Sequence, residues 1–197
     1  MKNLLLIAIT ILAVGCGGKD ESTTETKPKL EGVNKNELEF REFIYYLKDS
    51  DTPYTGKAYA LHENGNKYWE VNHKDGKKDG LQTTWYENGQ KQYEENYKEG
   101  NFDGVFASWH ENGQKSSEAS WKEGKQDGLG VSWYENGQKA AKYYYKDGKE
   151  DGLSVSWHKN GQKSFEGNFK DGNIVEGSDK YWNSKGEPVD TIEEARK

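Results

Sequence analysis

The chain has few of the residues that build a compact interior. Among its 197 residues are one cysteine and three prolines, and 31% are apolar, against about 45–50% in ordinary globular domains. A single cysteine excludes an intrachain disulfide. The formal net charge of −6 makes nucleic acid an unfavourable partner and does not favour adsorption to an anionic lipid surface. The length predicts one domain with tails.

Aromatic residues, in contrast, are plentiful and recur at fixed positions. Seven Trp, thirteen Tyr and six Phe follow a 24-residue period whose copies begin at Gly56, Gly80, Gly104, Gly128 and Gly152. Residues 56–176 therefore form five repeats. A thin repeat protein with little interior explains the low apolar content without invoking disorder.

The first sixteen residues have the pattern of a targeting segment. A short positive start precedes eleven largely apolar residues, Leu4 to Val14, too few for a membrane span of about 20 residues. Small residues stand before the lone Cys16, and the whole resembles a bacterial lipoprotein signal peptide over residues 1–15. The resemblance implies lipidation of Cys16. An ordinary signal peptide with an incidental cysteine is the alternative.

Residues 16–32 predict the lipidated cysteine and a flexible tether, because they are mostly Gly, Ser, Thr and charged residues. Lys19-Asp20-Glu21 fits either a surface-export signal or a solvated linker. The expected location is the bacterial cell envelope, lipid-anchored at the outer membrane, on its surface or its periplasmic face. Contact with the membrane is expected through the N-terminal lipid only.

The two ends of the repeat array are irregular. Residues 33–55 allow a helix stripe, but Phe43-Ile44-Tyr45-Tyr46 is rich in strand formers and favours a strand that forms an N-terminal half-repeat of the sheet. Residues 177–188 are an imperfect copy of the repeat and predict a cap. Residues 189–197 predict a tail that is frayed or forms a short helix.

Each repeat is predicted to be a hairpin of two strands. In the second copy the strands are Leu81 to Tyr86 and Lys91 to Tyr97. A three-residue loop, Glu-Asn-Gly with Gly in the left-handed region, places Trp85 and Tyr97 on the same face, whereas a two-residue loop would separate them. The predicted fold is all-β: an elongated, single-layered antiparallel β-meander of 24-residue hairpin repeats.

Two repeated motifs resemble the MORN repeat in its bacterial variant over about residues 41–187: Tyr-Lys-Asp-Gly-Lys-x-Asp-Gly and Trp-Tyr-Glu-Asn-Gly-Gln-Lys. The resemblance implies an elongated β-meander of MORN-type hairpins. Proteins built from this variant are commonly classed as antitoxin components of toxin–antitoxin modules, so the resemblance also implies an antitoxin-like role.

The sequence gives no sign of an enzyme, a cofactor or a metal site. Catalysis needs unlike groups that converge, whereas this chain repeats like groups in rows. His62, His110 and His158 share one repeat position, and neighbours in this row are about 19 Å apart in sheet geometry, too far to share a metal ion. The Asp-Gly-Lys-x-Asp-Gly segments lack the acids of known calcium loops and are interpreted as turns.

Two rows of rings are the candidate sites. The first row is mainly structural in this interpretation and consists of Trp85, Trp109, Trp133 and Trp157, flanked by Tyr97, Trp121, Tyr145 and Phe169. The second row is the candidate binding surface on the opposite face and consists of Tyr86, His110, Tyr134 and His158. We expect a non-catalytic module that binds an envelope protein. The alternative is a surface lipoprotein that binds glycan on its aromatic rows.

Overall fold

The computed structural model describes residues 30–196. The predicted signal peptide, Cys16 and nearly all of the predicted tether lie outside the described residues. One sheet of fifteen strands accompanies a separate two-stranded hairpin. Within the described residues, no helix is long or apolar enough to cross a membrane. In chain order the elements are β1 (Val33–Asn34), a 3-10 helix (Lys35–Glu37), β2 (Leu38–Arg41), β3 (Ile44–Leu47), β4 (Gly56–Leu61), β5 (Lys67–Lys74), β6 (Lys77–Trp85), β7 (Lys91–Lys98), β8 (Asn101–Trp109), β9 (Lys115–Lys122), β10 (Lys125–Trp133), β11 (Lys139–Lys146), β12 (Lys149–Glu150), β13 (Gly152–Trp157), β14 (Lys163–Lys170), β15 (Asn173–Ile174), β16 (Lys180–Trp182), β17 (Pro188–Val189) and α1 (Ile192–Ala195).

The sheet is a meander with the strand order β4-β5-β6-β7-β8-β9-β10-β11-β13-β14-β16-β17, and the short strands β12 and β15 pair with β11 and β14. The pairs β4–β5, β6–β7, β8–β9, β10–β11 and β13–β14 are the five repeats, and each pair is antiparallel. The sheet does not close on itself. The predicted fold class, a long antiparallel β-meander of hairpins, is therefore confirmed.

The loop within each hairpin has three residues, as predicted. In the second repeat the backbone N–H of Tyr86 donates to the carbonyl of Gln90 at 2.9 Å, which leaves Glu87, Asn88 and Gly89 in the loop. Gly89 has φ of +83°, and the Asn88 carboxamide oxygen accepts from the Gln90 N–H at 2.9 Å. The Asn-Gly pair is thus used for a side-chain cap and a left-handed turn residue.

The predicted distribution of side chains between the two faces is wrong in one respect. After the loop Trp85 pairs with Lys91, but the next pair is Thr84 with Tyr93, so Gln92 is an extra residue in a β-bulge. A bulge shifts the alternation by one residue. Leu81 therefore pairs with Asn96, and Tyr97 pairs with Gly80 on the other face.

The same bulge recurs in every repeat and defines two faces. The tryptophan face carries Trp85, Trp109, Trp133 and Trp157. The tyrosine face carries the residues that were predicted to flank this row, namely Tyr97, Trp121, Tyr145 and Phe169, whose partners Gly80, Gly104, Gly128 and Gly152 lie on that same face. Both faces therefore bear aromatic rings.

Successive repeats are joined by two-residue turns. Lys98 pairs with Asn101 across Glu99 and Gly100, whose φ values are +51° and +87°. Positive φ at both central residues is the type I′ geometry that matches the twist of a hairpin. The strand then continues through Asp103 and Gly104 as part of β8, so these two residues lie in a strand rather than in the turn.

The interior is thin, which explains the composition. Among the described residues, the buried apolar side chains are mostly small, such as Ala58, Ala60, Ala107 and Ala119, and Val71 is the largest side chain that is fully buried. On the tyrosine face larger rings shield one another: the Tyr97 and Phe102 rings stack with centroids 4.7 Å apart, and Phe102 contacts Trp121 at 5.1 Å. Stability therefore depends on contacts between neighbouring repeats.

The N-terminal end differs from the predicted half-repeat. A strand is present at β3, but it pairs with β2 in a separate hairpin, and the edge of the main sheet is instead formed by β1, which pairs parallel with β4. Tyr45 of β3 packs on the buried ring of His73, with centroids 4.8 Å apart. The β2–β3 hairpin thus covers the first repeat on its tyrosine face instead of extending the sheet.

The C-terminal end consists of β16, β17 and a single helical turn. β16 pairs with β14, and Asn183 to Glu187 repeats the hairpin loop geometry. The helix α1 begins after Thr191, whose side chain caps Glu194, and it buries Ala195. Both outer strands of the sheet are two residues long, and β17 contains Pro188. Short edges with proline resist pairing with other strands.

Candidate binding face

Lysines lie over three of the four rings of the tryptophan row, those of Trp85, Trp109 and Trp133. The Nζ of Lys67 is 5.4 Å from the ring centroid of Trp85 in the next repeat, and the same contact joins Lys91 to Trp109 at 5.7 Å. Contacts of this kind contribute about 0.5–1 kcal/mol at exposed sites. In four of the five repeats, the lysine at this position also forms an ion pair with the glutamate three residues later on the same strand: Lys67–Glu70, Lys91–Glu94, Lys115–Glu118 and Lys163–Glu166.

A second row on this face is aliphatic and exposed. Leu81, Val105, Leu129 and Leu153 occupy one repeat position and are 42, 48, 39 and 41% exposed. They lie on alternate strands, about 9.6 Å apart. Contiguous exposed apolar surface marks interaction sites on soluble proteins. This row, together with the tryptophan row, makes the tryptophan face the candidate binding face.

The predicted ring row lies at the hairpin loops, where it joins neighbouring repeats. The Tyr86 hydroxyl donates to the carbonyl of Trp109 at 2.8 Å, and the Tyr134 hydroxyl donates to that of Trp157 at 2.7 Å. His110 Nε2 makes the equivalent bond to Trp133 at 3.0 Å, and His158 Nε2 makes it to Trp182 at 2.9 Å. All four rings are half-buried. Tyr and His can occupy the same repeat position because either side chain reaches the equivalent backbone carbonyl of the next repeat.

The loops are joined a second time by asparagine side chains. The Asn112 amide donates to the carbonyl of Glu135 at 2.9 Å, and Asn136 donates to that of Lys159 at 3.0 Å. Each loop thus makes two side-chain bonds to the next. The polar atoms of the ring row are engaged within the protein, and binding by this row remains a prediction.

At the opposite ends of the strands, aspartates join successive turns. The Asp103 carboxylate accepts from the backbone N–H of Glu123 at 3.3 Å, and Asp127 accepts from that of Asp147 at 3.2 Å. The accepting carboxylates hold turn residues with positive φ. Among the described residues, no group of three potential ligands could hold a metal ion. The interpretation of these segments as turns therefore holds for their first half, whereas the second Asp-Gly, as at Asp103 and Gly104, lies in the following strand and its aspartate holds the next turn.

Sequence reasoning missed a polar cluster on the tyrosine face of the second repeat. The Glu95 carboxylate accepts from the Gln82 amide at 2.5 Å and from the Tyr97 hydroxyl at 3.3 Å, and Lys78 Nζ lies 4.7 Å from the Tyr97 ring centroid. In the sequence, the cluster is indicated only by Glu95, which stands at a repeat position that is occupied in the other repeats by Val71, Ala119, Tyr143 and Gly167.

Burial dominates the titration of this cluster. It raises the pKa of Glu95, although Lys78 opposes the shift, and it lowers the pKa of Lys78. Among the described residues, neither ring nitrogen of the neighbouring His73 has a hydrogen-bond partner, and burial, followed by the charge of Lys78, lowers the pKa of His73 to about 4. Gln82, Glu95 and Tyr97 form a hydrogen-bonded, half-buried cluster that joins β6 and β7, and the buried His73 of β5 lies beside Lys78 at its edge.

A family comparison agrees with this geometry. Residues 78–99, 102–123, 126–149 and 150–171 each match the MORN repeat variant. No curated protein matches the chain. The matches cover the repeats from β6 to β14, and the first hairpin, outside them, has the same loop bonds, from His62 to Trp85 and from Asn64 to Glu87. MORN repeats are in general non-catalytic binding repeats. Four consecutive repeats of this chain, between residues 78 and 171, are therefore repeats of the MORN variant.

Proposed function

We propose that the protein is a non-catalytic module, lipid-anchored through Cys16, that binds a protein partner in the bacterial envelope through its tryptophan face. The observation that carries the proposal is the exposed aliphatic row Leu81, Val105, Leu129 and Leu153. A single-layered sheet does not need these side chains for an interior on that side, and aliphatic side chains at this exposure favour a contact that removes them from water.

The partner is a protein in this proposal rather than a glycan. Stacking of sugars needs open ring faces, and lysines lie over Trp85, Trp109 and Trp133. The polar atoms of the candidate ring row already bond to neighbouring carbonyls. An aliphatic row beside ion pairs suits the apolar core and polar rim of a protein interface.

Photo-crosslinking in intact cells tests the proposal. A photoreactive phenylalanine analogue replaces Leu129 on the tryptophan face, or Glu135 in the adjacent exposed loop as the matched control. We expect one protein to be crosslinked at position 129 and not at 135. The combined change of Leu81, Val105 and Leu153 to Ser is expected to abolish that product. Crosslinking that is equal at both positions, or unaffected by the serine changes, would refute the proposed face.

The identity of the crosslinked protein tests the antitoxin-like role, since a toxin must be the partner if that role holds.

The anchor is tested separately: Cys16→Ser should abolish metabolic labelling by a fatty acid and release the protein from the membrane fraction. Continued labelling of the Cys16→Ser variant would contradict lipidation at this residue.

A further inference from the structure

The fourth repeat breaks the charge pattern of the tryptophan face. In four repeats a lysine at the start of the second strand pairs with a glutamate three residues later. In the fourth repeat these positions are Lys139 and Lys142. Lys142 occupies the glutamate position, between Val131 on one neighbouring strand and Val155 on the other.

The two lysines are left without carboxylates. In the part of the chain that the structure describes, neither Lys139 nor Lys142 forms an ion pair, and Lys139 does not lie over the ring of Trp157 in the way that its equivalents lie over the other tryptophans. Lys142 instead lies over Tyr144, with Nζ 5.2 Å from the ring centroid. Two lysines without carboxylate partners thus lie on the strand next to the half-buried Trp157, whose ring, among the described residues, has no lysine over it.

The surroundings favour a single carboxylate over a polyanion. Glu118 and Glu166 occupy the same row, each two strands or about 9.6 Å from Lys142, and both are paired with their own lysines. With a formal net charge of −6, the chain repels extended polyanions. The exposed Leu129 and Leu153 lie on the strands beside Lys142. An anion bound here would therefore be flanked by apolar side chains.

We propose that Lys139 and Lys142 form a specificity site for one Asp or Glu side chain of a protein partner, flanked by apolar residues. The partner carboxylate takes the place of the glutamate that the fourth repeat lacks. This inference rests on the proposed function, since it assigns the tryptophan face to binding, and it fixes where along that face the partner is held. An ionised acceptor between two ammonium groups makes charge-assisted hydrogen bonds.

The test is an NMR titration of the ¹⁵N-labelled full chain with the peptide acetyl-Leu-Glu-Leu-Glu-Leu-amide, monitored at the seven Trp indole resonances. We expect a saturable shift of Trp157 and none of Trp109. Acetyl-Leu-Lys-Leu-Lys-Leu-amide and inorganic phosphate should shift neither of these two indole resonances. A Trp157 shift with phosphate that matches the peptide shift, or equal shifts at all indoles, would overturn the proposal.

Two charge changes decide whether the missing glutamate opens the site. Lys142→Glu restores the pattern of the other repeats and should weaken peptide binding at least tenfold, whereas Lys146→Glu at the end of the same strand should change it less than twofold. Glu118→Lys should create a second saturable shift, at Trp133, because it releases Lys115. Peptide binding that survives Lys142→Glu, or an unmoved Trp133 in Glu118→Lys, would overturn the inference.

Folding and the proposed function are controlled separately. Urea unfolding of each variant shows whether the sheet persists, and we expect Lys142→Glu to be at least as stable as the parent because it replaces a like-charge pair with an ion pair. Should the peptide bind at Trp157 while the analogue at Leu129 captures no protein, the local site stands and the proposed function fails. If the analogue at Leu129 captures a protein but the peptide does not bind at Trp157, the specificity site is refuted and the proposed function stands.

Discussion

Removing one hydroxyl from the loop contacts should weaken the whole array. Tyr134→Phe keeps the half-buried ring but deletes the hydrogen bond to the Trp157 carbonyl, which is 2.7 Å long. A hydrogen bond of this kind contributes about 0.5–1.5 kcal/mol net, so we expect the free energy of unfolding to fall by about 1 kcal/mol. With a urea m-value of about 2 kcal/mol/M, the midpoint would fall by about 0.5 M.

The control is a tyrosine whose hydroxyl makes no hydrogen bond within the described residues. Tyr144 is also half-buried, and Tyr144→Phe should change the free energy of unfolding by less than about 0.3 kcal/mol. His110→Tyr should be nearly neutral, because both side chains reach the carbonyl of the next repeat. Unfolding is followed by tryptophan fluorescence in urea. If Tyr134→Phe and Tyr144→Phe have the same midpoint, the hydroxyl does not join the repeats and the reasoning fails.

Three further changes test other parts of the molecule. Glu42 and Phe43 have φ of +48° and +66° in the β2–β3 turn, and Phe43 is 87% exposed. The double change Glu42→Asn with Phe43→Gly should therefore raise the urea midpoint by relieving about 1 kcal/mol of backbone strain. A lower midpoint would contradict this expectation. The folded-state pKa of His73 is about 4, below its ordinary 6.5, so the unfolded chain binds its proton first and stability should fall as the pH falls from about 6.5 through 4. His73→Phe, which matches Phe169 of the fifth repeat, should flatten that dependence, and an unchanged pH profile would show that another group titrates. Millimolar calcium should leave the melting temperature unchanged because carboxylates such as that of Asp103 already accept backbone N–H groups, and a reproducible rise would count against this interpretation.

Much of the fold could be predicted because its determinants are local. An Asn-Gly pair in each hairpin loop and an Asp-Gly or Glu-Gly pair between repeats recur every 24 residues, and each specifies its own turn through positive φ or a side-chain acceptor. Loop length and repeat number follow from these residues alone. The ring row was also visible as a row, although its bonds to the next repeat need the pairing of strands to be known.

The distribution of faces could not be predicted because the bulge has no sequence signature. The extra residue is Tyr68, Gln92, Ser116, Ala140 or Ser164 in the successive repeats, and these types share neither size nor polarity. A one-residue shift moves every later side chain to the other face. The polar cluster around Glu95 could not be predicted either, because Gln82 pairs with Glu95 only when the bulge is present.

The N-terminal hairpin shows the limit of local reasoning. Its strand formers were recognised, but the partner of β3 is decided by contacts far along the chain. Tyr45 donates its backbone N–H to the carbonyl of Gly76 at 2.8 Å and packs on His73. The main-sheet position that the half-repeat would have taken is occupied by β1.

The bonds between loops make the repeat number adjustable in evolution. Tyr134 bonds to a carbonyl 23 residues away, and Asp103 bonds to an amide 20 residues away. Because both offsets recur in the neighbouring copies, duplication or loss of a 24-residue segment preserves every partner, whereas a segment of another length breaks both rows. Gene rearrangement in whole units would thus lengthen or shorten the candidate binding face by about 9.6 Å a step, while its chemistry is varied one repeat at a time.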